Sequence, residues 1–308
     1  MDIYTFGENV IKVLTHELLG CSFMQNEVMK NNGVIMHGLV IRKDTNTNIE
    51  PQFYLDGFYE SYKNGRNLEE IAKEIADLYK EQESKSIHQF DVAWMMNFEN
   101  VKDIICFRLV NLEKNKELLQ TMPYRKLLDL ALVYYLRMDV EDDVNGYVRV
   151  TNRLMEQWSV DEEQLYKQAL INIPKQNKGI VMPLEAIFSE MLHNDINFDT
   201  VYESDIFDII FKESHFFICS NKSKSYGAVA MLYPKLLEKM AEQIGDVYIL
   251  PSSVHEVLFI KASQDINPKE LLQMVREVNE AELSMEEFLS DNIYFYDKKE
   301  QKLKLITE

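Results

Sequence analysis

The sequence predicts an α+β protein: mixed or antiparallel sheets with helices packed on them, in two or three subdomains. Three observations carry this. Apolar residues fall at helical spacing in some segments and alternate in others. The two kinds of segment follow one another too irregularly for a doubly wound parallel sheet. Apolar residues make up 46% and charged residues 27% of the 308-residue chain, the balance of a globular protein.

The elements follow in order. Ile3, Phe6, Val10, Val13, Leu14 and Leu18 recur at helical spacing up to Gly20. Asn31-Asn32-Gly33 is a turn between SFMQNEVMK and VIMHGLVIRK, which predicts a β-hairpin, with PQFYL as a third short strand. Asn67 and Glu70 read as the capping box of a helix that buries Leu68, Ile71, Ala72, Ile75, Leu78 and Tyr79. Residues 1–85 thus form an α-β-β-β-α unit. Residues 86–122 read as helical and irregular, with FENVKDIICFRLVN largely buried. LLDLALVYYLRM reads as a strand pairing with GYVRVTN across an acidic turn. Ser159 and Glu162 read as the capping box of DEEQLYKQALIN. Pro174 and Gly179 mark a boundary, giving a central unit at 86–178 and a last unit at 179–308.

That last unit begins with a helix at PLEAIFSEMLHN. HFFICSN reads as a strand, and Ala228–Ile244 as a helix stopped by Gly245 and interrupted or begun by Pro234. VYILP and EVLFIKA are strands split at Pro251-Ser252-Ser253. Asn267-Pro268-x-Glu270 opens a helix burying Leu271, Met274, Val275 and Val278. NIYFYDKKEQKLKLI reads as a charged edge hairpin.

Charge narrows the function classes. Thirty-three basic and 51 acidic residues give a formal charge of −18. That argues against nucleic acid and against anionic membranes as partners, because both need fields of Lys and Arg. Residues 179–308 hold 12 basic and 23 acidic residues, and 185–213 is the densest stretch. It is either a solvated face or a docking surface for a protein with a basic surface. Cys21, Cys106 and Cys219 have no CxxC spacing, as expected of free thiols in a reducing compartment. The start, MDIYTFGENVIKV, lacks the basic and apolar regions of a signal peptide, and no apolar run is long enough to span a membrane. The expectation is a cytoplasmic protein.

The runs NNGVIMHGLVIRK, PQFYLDGFYESYKNGRNLEEIA, GAVAMLYPKLLEKMAEQIGDVYILPSSVHEVLFI and LLQMVREVN resemble an uncharacterised bacterial family, a domain of unknown function common in anaerobic gut Firmicutes. LALVYYL, VRVTNRLMEQWSVDEEQLYKQALIN, the GAVAML helix and ILPSSVHEVLFI are more distantly similar to the uncharacterised YtpQ-like group. This implies a shared fold and supplies no reaction, ligand or catalytic residue.

Candidate chemistry centres on Pro251-Ser252-Ser253-Val254-His255-Glu256. A strand break exposes side chains and frees backbone N–H groups, so Ser252, Ser253, His255 and Glu256 are candidate ligand-binding residues. A Ser–His pair also makes a nucleophile and its base. The plain reading is a β-turn in which the serines cap backbone groups. Glu141-x-Asp143-x-Asn145-Gly146 matches the first half of a calcium loop, but Asn152 stands where the bidentate carboxylate belongs, so an acidic hairpin turn fits better. His37 and His215 read as sheet residues. His16, His88 and His193 stand alone, and no metal set assembles from them. Tyr54, Phe58, Tyr59 and Tyr62 either pack a short helix on the sheet or form a recognition patch. No phosphate loop, GxGxxG or kinase motif occurs, and no cofactor is implied. Two readings result: a non-enzymatic cytoplasmic binding or protein-interaction protein, and a small-molecule or metal-dependent hydrolase with its site at the Ser252–Glu256 turn.

Overall fold

A computed structural model describes residues 1–43, 50–84, 92–140, 144–186, 200–211, 214–251, 253–263 and 265–307. It is α+β, as the sequence predicts, and divides into two units, Met1–Trp94 and Met95–Glu308.

In the first unit, Asp2 caps helix α1 (Ile3–Glu17) by accepting the Thr5 N–H at 2.8 Å, and Phe6, Val10 and Leu14 are buried. Gly20, at φ +79°, turns the chain into a hairpin of β1 (Cys21–Met29) and β2 (Ile35–Lys43). The register is antiparallel from Cys21↔Lys43 to Met29↔Ile35, with Asn32 left-handed in the turn. Strand β3 (Gln52–Tyr54) adds to β2. Helix α2 (Leu55–Lys63) carries the aromatic segment: Phe6 packs on Tyr59 and Tyr62, so these rings serve the core. Asn67 opens α3 (Leu68–Ser84), accepting the Glu69 N–H rather than that of Glu70. Ile71, Ala72, Ile75 and Tyr79 are buried in the core shared with α1, but Leu78 is exposed, because the stripe that α1 covers is narrower than the sequence offers.

The second unit corrects several expectations. Residues 105–111, expected to be helical, form strand β4 (Ile105–Asn111). Both of its faces are covered, so its residues read as one apolar run without visible alternation. β4 pairs with β6 (Leu130–Val140), which also takes β5 (Tyr124–Leu127) and β7 (Val144–Arg149), all antiparallel. The expected β6–β7 hairpin is present; Glu141 and Asp143 of its turn lie outside the described residues. Thr151 caps α4 (Asn152–Trp158). Ser159 closes that helix in the left-handed conformation at φ 55°, so it does not open the next one. The capping box of α5 (Glu162–Gln176) is instead Asp161 with Gln164. This leaves Glu162 free to accept hydrogen bonds from Arg125 and Tyr134.

An eight-stranded sheet follows. Its strands are β8 (Gly179–Pro183), β9 (Thr200–Glu203), β10 (Phe207–Phe211), β11 (Phe216–Asn221), β12 (Val247–Leu250), β13 (Val257–Lys261), β14 (Ile293–Asp297) and β15 (Lys302–Ile306). Their order is β15-β14-β12-β13-β11-β8-β10-β9, with β14–β15 as the expected edge hairpin and β8–β10 as a parallel pair. The helix expected at PLEAIFSEMLHN is described only over its first turn; residues 187–199, with His193, lie outside the described residues, as does His88. The expected Ala228–Ile244 helix is two pieces, a 3-10 segment (Gly227–Leu232) and α6 (Leu236–Ile244), because Pro234 interrupts the helical hydrogen bonds between them. Gly245 stops α6 at φ +89°.

Helix α7 (Pro268–Glu282) starts at the Asn267 cap with Pro268 in its first turn. It buries Leu272, Val275 and Asn279 against one face of the sheet, while Met274 and Val278 are exposed at 40% and 46%. The buried stripe is therefore rotated from the one expected. The opposite face of the sheet shares one core with the 3-10 segment, α6 and the β4–β6 layer, uniting residues 101–173 with 181–296. No helix of the described residues is long and apolar enough to cross a membrane.

Candidate functional site

The turn between β12 and β13 is stitched to backbone. Ser253 is 4% exposed, and its Oγ accepts the N–H of His255 at 3.0 Å. The His255 Nδ1 accepts the N–H of Tyr226 at 3.2 Å, and its Nε2 lies 3.7 Å from the Glu287 carboxylate. The His255 carbonyl accepts from the Ser220 hydroxyl at 2.8 Å. The Ser253 hydroxyl therefore meets the backbone of His255 and not its ring. Glu256 is exposed, and Ser252 lies outside the described residues. Arg276 is elsewhere, donating to the Thr307 carbonyl, and His215 is exposed.

What this turn positions is Tyr226. That residue is left-handed, at φ 49° and ψ 34°, a conformation costing a non-glycine residue about 1–2 kcal/mol. Three local features hold it there. Asn221 folds the preceding loop, donating to the Ser225 carbonyl at 2.9 Å and accepting the Ser225 N–H at 3.3 Å. Gly227 follows, where an added Cβ would lie 2.1 Å from Ser220 Oγ and 2.6 Å from the His255 carbonyl, so only glycine fits. The third is the imidazole of His255, which fixes the N–H.

The Tyr226 ring lies 3.6 Å from the guanidinium of Arg108. Tyr147 and Tyr135 approach the same guanidinium at 4.0 and 4.5 Å. Strand geometry explains the convergence. Cys106 is opposite Tyr135, and Arg137 is opposite Tyr147, so side-chain alternation puts Arg108, Tyr135, Arg137, Tyr147 and Arg149 on one face of the β4–β6–β7 layer. The other face, with Ile105, Phe107 and Leu109, packs on α5. Such cation–π contacts stabilise the guanidinium by about 0.5–2 kcal/mol each and leave its N–H edges unused. No carboxylate or other acceptor among the described residues takes those N–H groups.

Arg108 borders a small cavity of about 40 Å³, with room for about three water molecules. Arg137, Ser225, Tyr226, Tyr147 and Tyr233 share its wall. Arg137 also donates to the Gln176 carbonyl, and Tyr233 to the Asn177 carbonyl at 2.7 Å. Cys106 also lines the cavity; burial pushes its thiol up to about 12, against the opposing pull of Arg108 and Arg137. It is a neutral thiol, not a nucleophilic thiolate. Burial likewise raises the Tyr233 phenol. Among the described residues the wall has no Asp, Glu or His.

Sequence reasoning pointed to Ser253 and His255 but missed the arginines. The signal was one arginine on each of three neighbouring strands, in FRLV, YYLRM and YVRV. His37 behaves as a sheet residue: its ring Nδ1 and backbone N–H both engage Asp56, at 2.9 and 2.8 Å. Among the described residues no group of three or more His, Cys, Asp or Glu is placed to share a metal ion.

No curated protein and no solved structure matches the chain. A family model does match, over residues 3–298: the chain belongs to a family of unknown function, DUF5688.

Proposed function

We propose that this is a non-enzymatic binding protein whose site is the Arg108 cavity and whose ligand carries an anionic group. The observation that carries the reading is Arg108 itself: a guanidinium stacked by three tyrosines, with no acceptor for its N–H groups among the described residues, in a chain of net charge −18. Acidic proteins ordinarily pair partly buried arginines with carboxylates. A wall with two arginines and, among the described residues, no carboxylate suits an oxyanion. The absence of an acid, base or activated nucleophile from that wall supports binding rather than catalysis.

The hydrolase reading at 252–256 draws no support from the Ser253 hydroxyl, which is spent on a backbone N–H. Docking of a basic protein stands as a second reading. The solvent side of α3, where Glu70, Glu74, Asp77 and Glu81 surround Lys73, favours it. A cytoplasmic setting belongs to the same proposal, supported by three cysteines that form no disulfide. So does the wider kinship with gut-bacterial and YtpQ-like relatives, which rests on the segments quoted above.

A thermal-shift panel of inorganic phosphate, sulfate, acetate and citrate tests the reading. An anion at about 100 times its Kd stabilises by about 2.7 kcal/mol, a readily visible shift in Tm. At least one should raise Tm in the wild type and not in Arg108→Met. A panel flat for all four would overturn the anion site.

A further inference from the structure

The cavity holds a small head group and nothing larger, so the rest of any ligand must lie outside its mouth. There the same sheet face continues. Tyr147 lies over Arg108 at 4.0 Å yet is 41% exposed. Two residues along β7 stands Arg149, opposite Tyr135 and with no ion pair to a described residue. Beyond it on β5 stands Tyr124, opposite Val133 and 43% exposed. Tyr147, Arg149 and Tyr124 therefore follow one another along one edge of β6, on the Arg108 face. Each step is about 7 Å, two residues of strand.

On this basis, and resting on the anion-site reading, we infer that the ligand is a nucleoside monophosphate: its phosphate enters the Arg108 cavity, and its base stacks on the exposed side of Tyr147 beside Arg149. Both parts follow from what is displayed. A phosphate offers several acceptor oxygens to a guanidinium fork, with the Ser225 and Tyr226 hydroxyls as further donors around it. A flat aromatic base prolongs the stack that Arg108 and Tyr147 begin, and an arginine at its edge suits its carbonyl and ring-nitrogen acceptors. No glycine-rich phosphate loop is involved; the donors are side chains of the strands and of the loop before the 3-10 segment.

Calorimetric titration of the full chain with inorganic phosphate, adenosine monophosphate and uridine monophosphate tests this. Stacking predicts that a nucleoside monophosphate binds at least about tenfold more tightly than phosphate. The ratio should collapse towards one in Tyr147→Ala and persist in Tyr147→Phe, which keeps the ring. An unchanged melting temperature in both variants would confirm that the fold is intact. Phosphate binding with no preference for the nucleotides, or a preference that survives Tyr147→Ala, overturns this inference and leaves the anion site standing. Binding of none of the three overturns this inference, and together with a flat four-anion thermal-shift panel it overturns the anion site as well.

Discussion

Asp129 ties the two sheets of the second unit together. It sits in the turn between β5 and β6, and its carboxylate accepts from the Ser290 hydroxyl at 2.6 Å, the Asn292 amide at 2.9 Å and the Tyr294 hydroxyl at 2.6 Å. Ser290 and Tyr294 are wholly buried, so neither can turn to water if the acceptor is lost. Burial, together with the charge of Asp129, raises the Tyr294 phenol, keeping it a donor. An orphaned buried donor costs about 1–3 kcal/mol, so Asp129→Ala should destabilise by about 3–5 kcal/mol. Asp129→Asn keeps the shape and an acceptor oxygen and should cost about 1–2 kcal/mol. Urea unfolding followed by circular dichroism reads this as a fall in midpoint at constant slope. A loss below about 1 kcal/mol in Asp129→Ala would refute the claim that this carboxylate pins the sheets.

Three further outcomes are expected. Burial holds the Cys106 and Cys219 thiols protonated. The unfolded thiols ionise near 8.5, so the unfolded state loses protons first and stability falls as pH rises above about 9, by about 1.4 kcal/mol per pH unit for each thiol. Urea unfolding at pH 8 and pH 10 should show this fall, and Cys106→Ala should remove about half of it, leaving the part due to Cys219. Gly227→Ala forces a Cβ onto Ser220 and the His255 carbonyl, which should cost about 3 kcal/mol or more, read from the urea midpoint. His255→Ala removes the acceptor that fixes Tyr226. It should weaken anion binding several-fold in calorimetry with about 1 kcal/mol of lost stability.

Local chemistry was legible in the sequence. The Asn31–Gly33 turn and Asn267-Pro268 each act on neighbours within a few residues, and each formed the element that its residues specify. Elements decided by distant partners were not. β4 is covered on both faces, by α5 on one side and the 3-10 segment on the other, and apart from Arg108 and Asn111 it is apolar on both, so no period showed. The stripe on α7 is set by which residues the sheet meets, and Leu272 rather than Met274 meets it. Ser159 and Asp161 are both good caps, and only the left-handed turn at Ser159 decides between them.

The site was half legible for the same reason. Ser253 and His255 stand out because they interrupt two strands. Their role in placing Tyr226 needs the 3-10 segment to pass beneath them, as the Ala228 N–H to Val254 carbonyl bond at 3.2 Å shows. Arg108, Arg137 and Arg149 lie on separate strands, and only strand register puts them on one face.

The most direct measurement of the central claim is calorimetric titration of inorganic phosphate into the wild type, Arg108→Met and Arg108→Lys. The anion-site account predicts saturable binding by the wild type and none by Arg108→Met. Arg108→Lys should be weakened at least about tenfold, because an ammonium keeps the charge but loses the guanidinium fork. Equal binding by all three proteins, or by none, would contradict it.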